Sequence, residues 1–447
     1  MTTAIATQLK SINETELIEL SNADVYWHKI YQIIDSSQPI YLLFPQTIEA
    51  LAEIVRQASQ HQWRILICGH ASKLNWGKIT QDIQLVVSTQ KCDRLIEHAM
   101  GDLTVTVEAG MKLADLQSKL RSHNQFLPID SPYANATLGG IVATADTGSW
   151  RQRYGGVRDL LLGLSFVRAD GKIAKAGGRV VKNVAGYDLM KLFTGAYGTL
   201  GVITQLTFRL YPLMANSQTM LITGKAEQIA QATQTIRNSG LTPTAMDLLS
   251  ATVIKQLDLG SDMGLMLRWQ TIPESIEQQI SQVKAIAQQL DLATSIYQDE
   301  LEDKLWKDCG EIISIPQSAA AVTCKIGIAP AVAVGLLQIG DLALKDTAPH
   351  KAFPKGNSHS NILTKVHASS GLGQLQLNAN YANYELLEQM RSHCQQNQGF
   401  LTILDAPPEV KQQIDVWGYS GNAIKTMKGI KDQFDPQNIL NPGRFIV

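Results

Sequence analysis

Residues 67–77 read Ile67-Cys68-Gly69-His70-Ala71-Ser72-Lys73-Leu74-Asn75-Trp76-Gly77 and follow directly on a predicted strand over 64–67. Their small side chains let the backbone turn sharply and present successive N–H groups to an anion. A diphosphate is a suitable guest, because Ser72 and Lys73 add two donors. An ordinary turn between a strand and a loop accounts for the same residues, so this segment alone leaves both interpretations open.

Three more glycine-rich segments follow along the chain. Pro128-Ile129-Asp130-Ser131-Pro132 precedes Ala136-Thr137-Leu138-Gly139-Gly140, where paired glycines behind a threonine permit close approach of the backbone to a flat ligand. The other two are 177–188, GGRVVKNVAGYD, and 194–204, TGAYGTLGVIT. Each alone is typical of a tight turn, but four such loops tied to strands favour a bound cofactor.

Composition and missing motifs exclude several other classes of protein. The 447 residues are 45% apolar, enough for a large core in two or three domains, and the formal net charge of −1 supplies no field to attract nucleic acid or an acidic membrane. No Rossmann Gly-x-Gly-x-x-Gly, P-loop or His-Glu-x-x-His motif occurs. The start MTTAIATQLK has no signal-peptide pattern, and no apolar run reaches the ~18–20 residues of a membrane span.

The five cysteines are scattered and form no Cys-x-x-Cys pair. This usage predicts a reducing, cytoplasmic compartment, without structural zinc or an iron–sulfur cluster in this chain. Any electrons that the protein accepts must therefore leave by another route.

The apolar pattern divides the chain near Pro212. Before it, short strands alternate with helices, and residues 164–169 and 172–176 flank Asp170-Gly171 as a predicted hairpin with a type I′ turn. Beyond it, glycine is sparse and helices are longer, with a predicted exposed loop over 345–360. A second break is predicted near Ala406, and a last helix ends before Asp435-Pro436.

The order of the four loops resembles the FAD-binding domain of the vanillyl-alcohol oxidase family, which is of the p-cresol methylhydroxylase type. Lys182-Asn183-Val184-Ala185-Gly186-Tyr187-Asp188 and the ending FDPQNILNPGRF, residues 434–445, are similar to the glycolate oxidase and D-lactate dehydrogenase branch, with the E-type subunits of glycolate oxidase as the nearest match. The resemblance is good over residues 37–213 and in the C-terminal segment, and loose between them.

The resemblance implies an α+β fold in four parts. A lead-in over 1–36 precedes a two-part FAD-binding domain of the p-cresol methylhydroxylase type over 37–213. A substrate or cap domain of α+β type covers 214–405, and the segment 406–447 returns to the flavin. The FAD is expected to be non-covalent, because Cys68 and His70 do not stand in the register of the linkage residues of covalent relatives.

Carried over position by position, the resemblance also implies the residues that hold FAD. The diphosphate loop comprises Cys68, Gly69, His70, Ala71, Ser72 and Lys73. The second motif contributes Pro132, Thr137, Gly139, Gly140 and Thr144, and the fourth contributes Gly198, Gly201 and Ile203. The family loop usually has glycine where Ala71 stands, which places the local turn geometry in question.

Oxidation of a 2-hydroxy acid needs a cation for the carboxylate, an acceptor for the hydroxyl proton and a flavin for the hydride. Catalytic relatives have His-x-Gly-x-Gly-x-x-His, and here His367 matches the first histidine whereas Gln374 replaces the second. His367 is therefore a candidate catalytic residue, with a hydrogen-bonded histidine at a strand end as the alternative. Arg444 is the candidate carboxylate or flavin cation, with a surface arginine as its alternative.

Two functions remain open at this point. The chain is either the flavin subunit of a 2-hydroxy-acid dehydrogenase of the glycolate or D-lactate type, or a non-catalytic FAD-binding scaffold or electron relay beside a catalytic paralogue. A carbohydrate oxidase is a remote third class, since it would usually show a linkage residue. The expected partners are a small 2-hydroxy acid, a catalytic flavin subunit that supplies the missing base, and an iron–sulfur subunit. The chain would reach the inner face of a membrane only through such partners.

Overall fold

The computed structural model describes residues 2–24, 27, 29–35, 39–179, 187–316, 318–342, 362–377 and 384–447. Most of the third glycine-rich segment, residues 180–186, and the predicted loop over 345–360 lie outside the described residues. The fold is a mixture of helix and sheet in two compact units, as the α+β prediction requires. Unit 1 comprises 1–148, 154–213 and 420–447, and unit 2 comprises 149–153 and 214–419.

Unit 1 begins with a small sheet that contains three parallel strands, and the first glycine loop follows one of them. Its strand order is β1-β3-β6-β4, with β1 antiparallel to β3 and the other pairs parallel. These strands are β1 (Thr15–Glu19), β3 (Tyr41–Pro45), β4 (Ile65–Cys68) and β6 (Leu85–Ser88), and β2 (Ile34–Asp35) pairs with β5 (Thr80–Gln81). The helix Ile48–His61 buries its apolar stripe in this core and starts at Thr47, whose hydroxyl accepts from the Ala50 N–H at 3.2 Å.

A five-stranded antiparallel sheet forms the second part of unit 1. Its strand order is β11-β10-β12-β8-β7, and its inward side chains build an apolar core with the surrounding helices. The strands are β7 (Leu95–Ala99), β8 (Thr104–Glu108), β10 (Leu161–Val167), β11 (Ile173–Gly177) and β12 (Val202–Arg209), while β9 (Gln125–Phe126) pairs with β13 (Tyr211–Pro212). The helices of this unit are Thr2–Leu9, Ile48–His61, Leu113–Arg121, Leu138–Thr144, Val157–Leu160, Leu189–Phe193 and Ile424–Phe434.

The predicted hairpin between β10 and β11 is present, but its turn differs from the prediction. Gly171 donates its N–H to the Arg168 carbonyl at 2.9 Å, and only Gly171 among the turn residues has a positive φ, +80°. A type I′ turn needs positive φ at both central residues. The turn is therefore a type I turn that ends in a left-handed glycine. Its loop is one residue longer than the two-residue type I′ loop that Asp170-Gly171 predicted.

Unit 2 contains one eight-stranded antiparallel sheet with helices packed on it. Its strand order is β17-β14-β16-β15-β19-β20-β18-β21. The strands are β14 (Ser217–Gly224), β15 (Ala245–Leu249), β16 (Met263–Gln270), β17 (Ala293–Gln298), β18 (Val322–Gly327), β19 (Ile362–His367), β20 (Leu372–Leu377) and β21 (Phe400–Asp405). The helices are Ala226–Arg237, Ala251–Gln256, Pro273–Gln289, Asp299–Ser314, Ala333–Leu342, Tyr384–Gln396 and Pro408–Gln413, and the short helix Arg151–Tyr154 begins in this unit.

The two faces of this sheet differ in chemistry. One face joins the larger apolar core of the unit, with Leu248, Leu265 and Val366 fully buried. The other face packs on the helix Asp299–Ser314 through a smaller apolar cluster that includes Leu305 and Leu363. Asp247, Lys365 and His367 share this second face, because cross-strand partners and alternate residues of a strand point to the same side.

The sequence prediction placed domain boundaries at 213/214 and at 405/406. The units of the structure meet at Leu213/Met214 and at Tyr419/Ser420, and residues 149–153 belong to unit 2 although unit 1 flanks them in sequence.

Candidate functional site

A cleft of about 750 Å³ in unit 1 gathers three of the four glycine-rich segments, and residues 177–179 of the third segment do not line it. Thirteen of the fourteen proposed FAD residues line it, and Pro132 alone does not. The lining therefore includes Cys68, Gly69, His70, Ala71, Ser72, Lys73, Thr137, Gly139, Gly140, Thr144, Gly198, Gly201 and Ile203. Further lining residues that the sequence did not single out for FAD are Ile67, Leu74, Thr89, Ala109, Ala143, Tyr197 and Asn441, and Arg444 also lines the cleft.

Two glycines allow close packing around the second motif. A Cβ at Gly69 would lie 2.2 Å from the Thr137 hydroxyl, and one at Gly139 would lie 2.8 Å from the Cβ of Ala109. Thr137 is the N-cap of the helix Leu138–Thr144 and accepts from the Gly140 N–H at 3.2 Å. Close backbone packing, in addition to approach by a ligand, therefore requires glycine at these two positions.

Ala71 adopts a left-handed backbone conformation, which favours glycine. Its φ is +54°, in the left-handed region, and its side chain is buried. An L-residue with a Cβ adopts this region at a cost of roughly 1–2 kcal/mol. The turn thus accommodates alanine at this position, at the expense of local backbone strain.

A buried ion pair connects the first loop to the second motif. The Lys73 ammonium donates to the Asp146 carboxylate at 2.7 Å, and the Ser131 hydroxyl donates to the same oxygen at 2.7 Å. Burial lowers the pKa of Lys73, and the carboxylate of Asp146 opposes that effect. Lys73 therefore holds the loop through this ion pair, and it also lines the cleft in which the sequence analysis made it a donor to the diphosphate.

Asn441 joins three segments around the cleft. Its side-chain oxygen accepts from the Ile67 N–H at 2.6 Å, and its side-chain amide donates to the Tyr197 carbonyl at 2.5 Å. A Cβ at Gly198, where φ is +71°, would lie 2.6 Å from this amide nitrogen. The C-terminal motif thus fixes the end of β4 and the fourth glycine segment relative to each other.

Arg444 is buried and bound to backbone carbonyls. Its guanidinium donates to the carbonyls of Leu74 at 2.6 Å, Lys78 at 3.3 Å and Trp76. Burial lowers the pKa of Arg444 to about 10, and the ionisable side chains of Tyr197 and Cys68 offset this effect only partly. The surface alternative is wrong, since Arg444 is 4% exposed, and these bonds favour a role in holding loop 74–78.

His70 is the titratable group of the first loop. It lines the cleft, and its pKa is lowered, first by burial and then by the positive charge of Lys112. Both effects favour the neutral imidazole, which can donate one hydrogen bond without adding a charge.

His367 lies in unit 2, in a cluster of buried polar groups. His367 is the last residue of β19, and its Nδ1 is 2.7 Å from a carboxylate oxygen of Asp247. The other oxygen of Asp247 accepts from the Ser149 hydroxyl at 2.5 Å, and the Lys365 ammonium lies 3.7 Å from it. The histidine is therefore hydrogen-bonded at a strand end, and this setting is compatible with a base as well as with a structural residue.

Gln374 makes a bond of its own in unit 2. Its side-chain oxygen accepts from the Ser314 hydroxyl at 2.6 Å, on the face of the sheet that packs on the helix Asp299–Ser314. It is the cross-strand partner of Lys365 in the register of β19 and β20. Gln374, which replaces the second histidine, thus accepts a hydrogen bond from the last residue of the helix Asp299–Ser314.

The sequence analysis missed several residues of these two sites. Asn441 lies in the C-terminal motif, residues 434–445, from which the sequence analysis selected only Arg444 as a candidate site residue. Asp146, Asp247, Lys365 and Ser149 carry no local signal, because each acquires its role from partners far away in sequence.

The cleft fits an elongated dinucleotide cofactor by the chemistry of its lining. Glycines bring the backbone to its surface, and hydroxyl groups of Ser72, Thr89, Thr137 and Thr144 supply short polar contacts. Among the described residues, no group of three or more His, Cys, Asp or Glu is arranged to hold a metal ion. Within the same residues, no helix is long and apolar enough to cross a membrane.

Comparison with known proteins identifies the same cofactor. Residues 39–177 match the family model for an FAD binding domain, and residues 416–445 match the C-terminal domain of FAD linked oxidases. Glycolate oxidase subunit GlcD of Bacillus subtilis is 26% identical, over 91% of this chain and 89% of its own length. Glycolate oxidase subunit GlcE of Escherichia coli is 36% identical, over 37% of this chain and 47% of its own.

The fold also matches solved flavoprotein structures. The structure of p-cresol methylhydroxylase with substrate bound superposes with a TM-score of 0.73 at 14% identity, covering 99% of this chain and 97% of that one. The predicted fold, cofactor and enzyme class are thereby confirmed. The chain is thus an FAD-linked oxidoreductase with an FAD binding domain and the C-terminal domain of FAD linked oxidases, and it shares the fold of p-cresol methylhydroxylase.

Proposed function

We propose that this chain is the flavin subunit of a 2-hydroxy-acid dehydrogenase or oxidase of the glycolate or D-lactate type, with FAD held non-covalently in the cleft of unit 1. The observation that carries the proposal is the convergence of thirteen motif residues on one cleft in a chain whose relatives are subunits of glycolate oxidase. The substrate class comes from those relatives.

The residues of the cleft have distinct tasks in this proposal. The backbone of loop 68–73 binds the diphosphate, with Ser72 as an additional donor. Gly140 leaves room for a flat ring system, since only the Thr137 hydroxyl lies near the position of its missing Cβ, at 3.1 Å. Asn441 and Arg444 hold the surrounding loops in place through backbone carbonyls and an N–H group.

The chemistry of oxidation is divided between the cofactor and the protein. When bound, the flavin supplies the acceptor for the hydride that leaves the substrate carbon. His367 accepts the hydroxyl proton of the substrate. Lys365, which lies beside it, adds a positive charge to the same cluster and offsets the charge of Asp247.

We further propose which partners receive the electrons and where the chain is located. The catalytic flavin subunit and iron–sulfur subunit expected from the glycolate oxidase relatives would receive the electrons, and any attachment to the inner face of a membrane would pass through them. A cytoplasmic location for this chain belongs to the same proposal.

One observation favours a second function. Gln374 replaces a histidine of catalytic relatives, and its side chain is bonded to Ser314. A chain that binds FAD but leaves catalysis to a paralogue would show this loss. In that case FAD would serve as a structural group or an electron relay.

Anaerobic single-turnover reduction decides between the two functions. The purified full chain, loaded with FAD, is mixed with glycolate, D-lactate and D-2-hydroxyglutarate, and the flavin absorbance is followed. The first function predicts rapid bleaching by at least one of these acids, and acid precipitation should release the flavin. No bleaching by any of them supports the scaffold function, and flavin retained in the precipitate contradicts non-covalent binding.

A further inference from the structure

Asp247 is a fully buried carboxylate with donors on both of its oxygens. One oxygen lies 2.7 Å from Nδ1 of His367, and the other accepts from the Ser149 hydroxyl and lies 3.7 Å from the Lys365 ammonium. An uncompensated charge at such a depth would be strongly unfavourable, so these partners are required for the carboxylate to stay ionised.

The topology of the sheet places this cluster by register. Asp247 on β15 is the cross-strand partner of His367 on β19, and Lys365 lies two residues before His367 on the same face. Ser149 belongs to the five-residue segment 149–153, which is part of unit 2 although unit 1 flanks it in sequence. The arrangement is thus built by three separate pieces of the chain.

The electrostatics of the cluster keep Asp247 negative. Burial alone would raise the pKa of this carboxyl, but His367 and Lys365 outweigh burial and hold the pKa below its usual value. A carboxylate can only accept hydrogen bonds, so Nδ1 of His367 must carry the proton that they share. Nε2 then has the lone pair, and among the described residues it has no hydrogen-bond partner.

We propose that Asp247 is a positioning residue, which fixes His367 in the tautomer whose Nε2 accepts the substrate proton. The proposal rests on the proposed function. The substrate O–H bond breaks and its proton bonds to Nε2. The oxidised flavin, when bound, would accept the hydrogen of the broken C–H bond with its electron pair as hydride, and the product would be the 2-oxo acid. The imidazolium that forms is stabilised by Asp247, as in other carboxylate–histidine pairs.

This arrangement changes the meaning of Gln374. A histidine base needs a group that orients it and stabilises the imidazolium. Asp247 supplies both functions from the neighbouring strand. The chain then contains a complete proton acceptor, although it lacks the second histidine of its catalytic relatives.

The test measures the His367 tautomer and the chemistry in the same protein. Full-length, FAD-loaded chain is labelled with ¹⁵N-histidine, and the His367→Gln variant identifies the signal among the nine histidines. The neutral ring should have Nδ1 protonated and Nε2 bare in the wild type. The opposite tautomer overturns the proposal, and this measurement does not depend on whether any Asp247 variant folds.

The Asp247→Asn variant then tests the consequence for catalysis. It should keep FAD, lose the tautomer preference, and reduce its flavin at least about 100-fold more slowly with the best 2-hydroxy acid. Its pH–rate profile should also change, because the neutral amide removes a negative charge that lies 2.7 Å from the ring. A merely structural role would lower stability without moving this profile.

Asp303→Asn is the matched control, because Asp303 is an exposed carboxylate of the same unit that pairs with Arg268. It should behave as the wild type in every measurement. An unchanged rate and profile in Asp247→Asn overturns the positioning role even if the wild type oxidises 2-hydroxy acids. The predicted tautomer in a wild type that no 2-hydroxy acid reduces overturns the proposed function instead, and with it the catalytic use of the pair.

Discussion

At the scale of single residues, Gly140 is the position where cofactor binding can be separated from folding. The cleft is open beyond its missing Cβ, whereas Gly69 and Gly139 touch other parts of the protein. Gly140→Trp should therefore fill the space of the ligand and weaken FAD binding at least about 100-fold, because a large side chain adds volume in an occupied site. Flavin content and FAD titration of the purified variant measure the effect.

The control for this residue is Gly429→Trp, at an exposed helix position with no atom within 4 Å of the added Cβ. It should bind FAD as the wild type does. Stoichiometric FAD in a folded Gly140→Trp protein would remove Gly140 from the site. The family resemblance, which rests on the glycine-rich motifs, predicted residues of this lining, whereas Asp146 carries no local signal and is found only through its bond to Lys73.

At the scale of elements, the C-terminal segment is hydrogen-bonded to the first and the fourth glycine-rich segments, which both line the cleft. Lys431 donates to the carbonyls of Thr199 and Leu440, Asn441 bonds to Ile67 and Tyr197, and Arg444 bonds to loop 74–78. Arg444→Ala leaves buried carbonyls without donors, and we expect the free energy of unfolding to fall by about 1–3 kcal/mol, with weaker FAD binding. Denaturant unfolding and FAD titration test this expectation.

Arg237→Ala, at an exposed helix position in unit 2, is the control and should stay within about 0.5 kcal/mol of the wild type. If Arg444→Ala keeps its stability and FAD affinity but slows flavin reduction, the interpretation of Arg444 as a substrate cation is correct instead. The periodicity of apolar residues was enough to predict the last helix, Ile424–Phe434, which ends before Asp435-Pro436. The turn at Gly171 was not predictable, because the dipeptide Asp-Gly suits two turn types that differ in length by one residue.

At the scale of the whole molecule, sequence patterns could not place the second site. Asp247 and His367 meet through strand pairing between distant segments, and Ser149 joins unit 2 from a position that unit 1 surrounds in sequence. Such juxtapositions depend on the order of strands in the sheet, which local periodicity does not encode. Within unit 1, by contrast, the cofactor loops follow strands whose ends are visible in the sequence.

The route of the electrons gives the last prediction, also at this scale. The five cysteines are all free, four of them are buried, and the described residues contain no cluster able to hold a metal ion. In the proposed function, the electrons of the reduced flavin pass to the partner subunits. We expect the natively expressed, tagged chain to co-purify with a second flavin subunit and an iron–sulfur subunit, detected by mass spectrometry and by iron content. The isolated chain should reduce its flavin once but turn over slowly with oxygen as the sole acceptor. A chain that purifies alone and oxidises glycolate or D-lactate under oxygen at tens of turnovers per second, on the order of typical enzyme rates, would be a complete oxidase without partners.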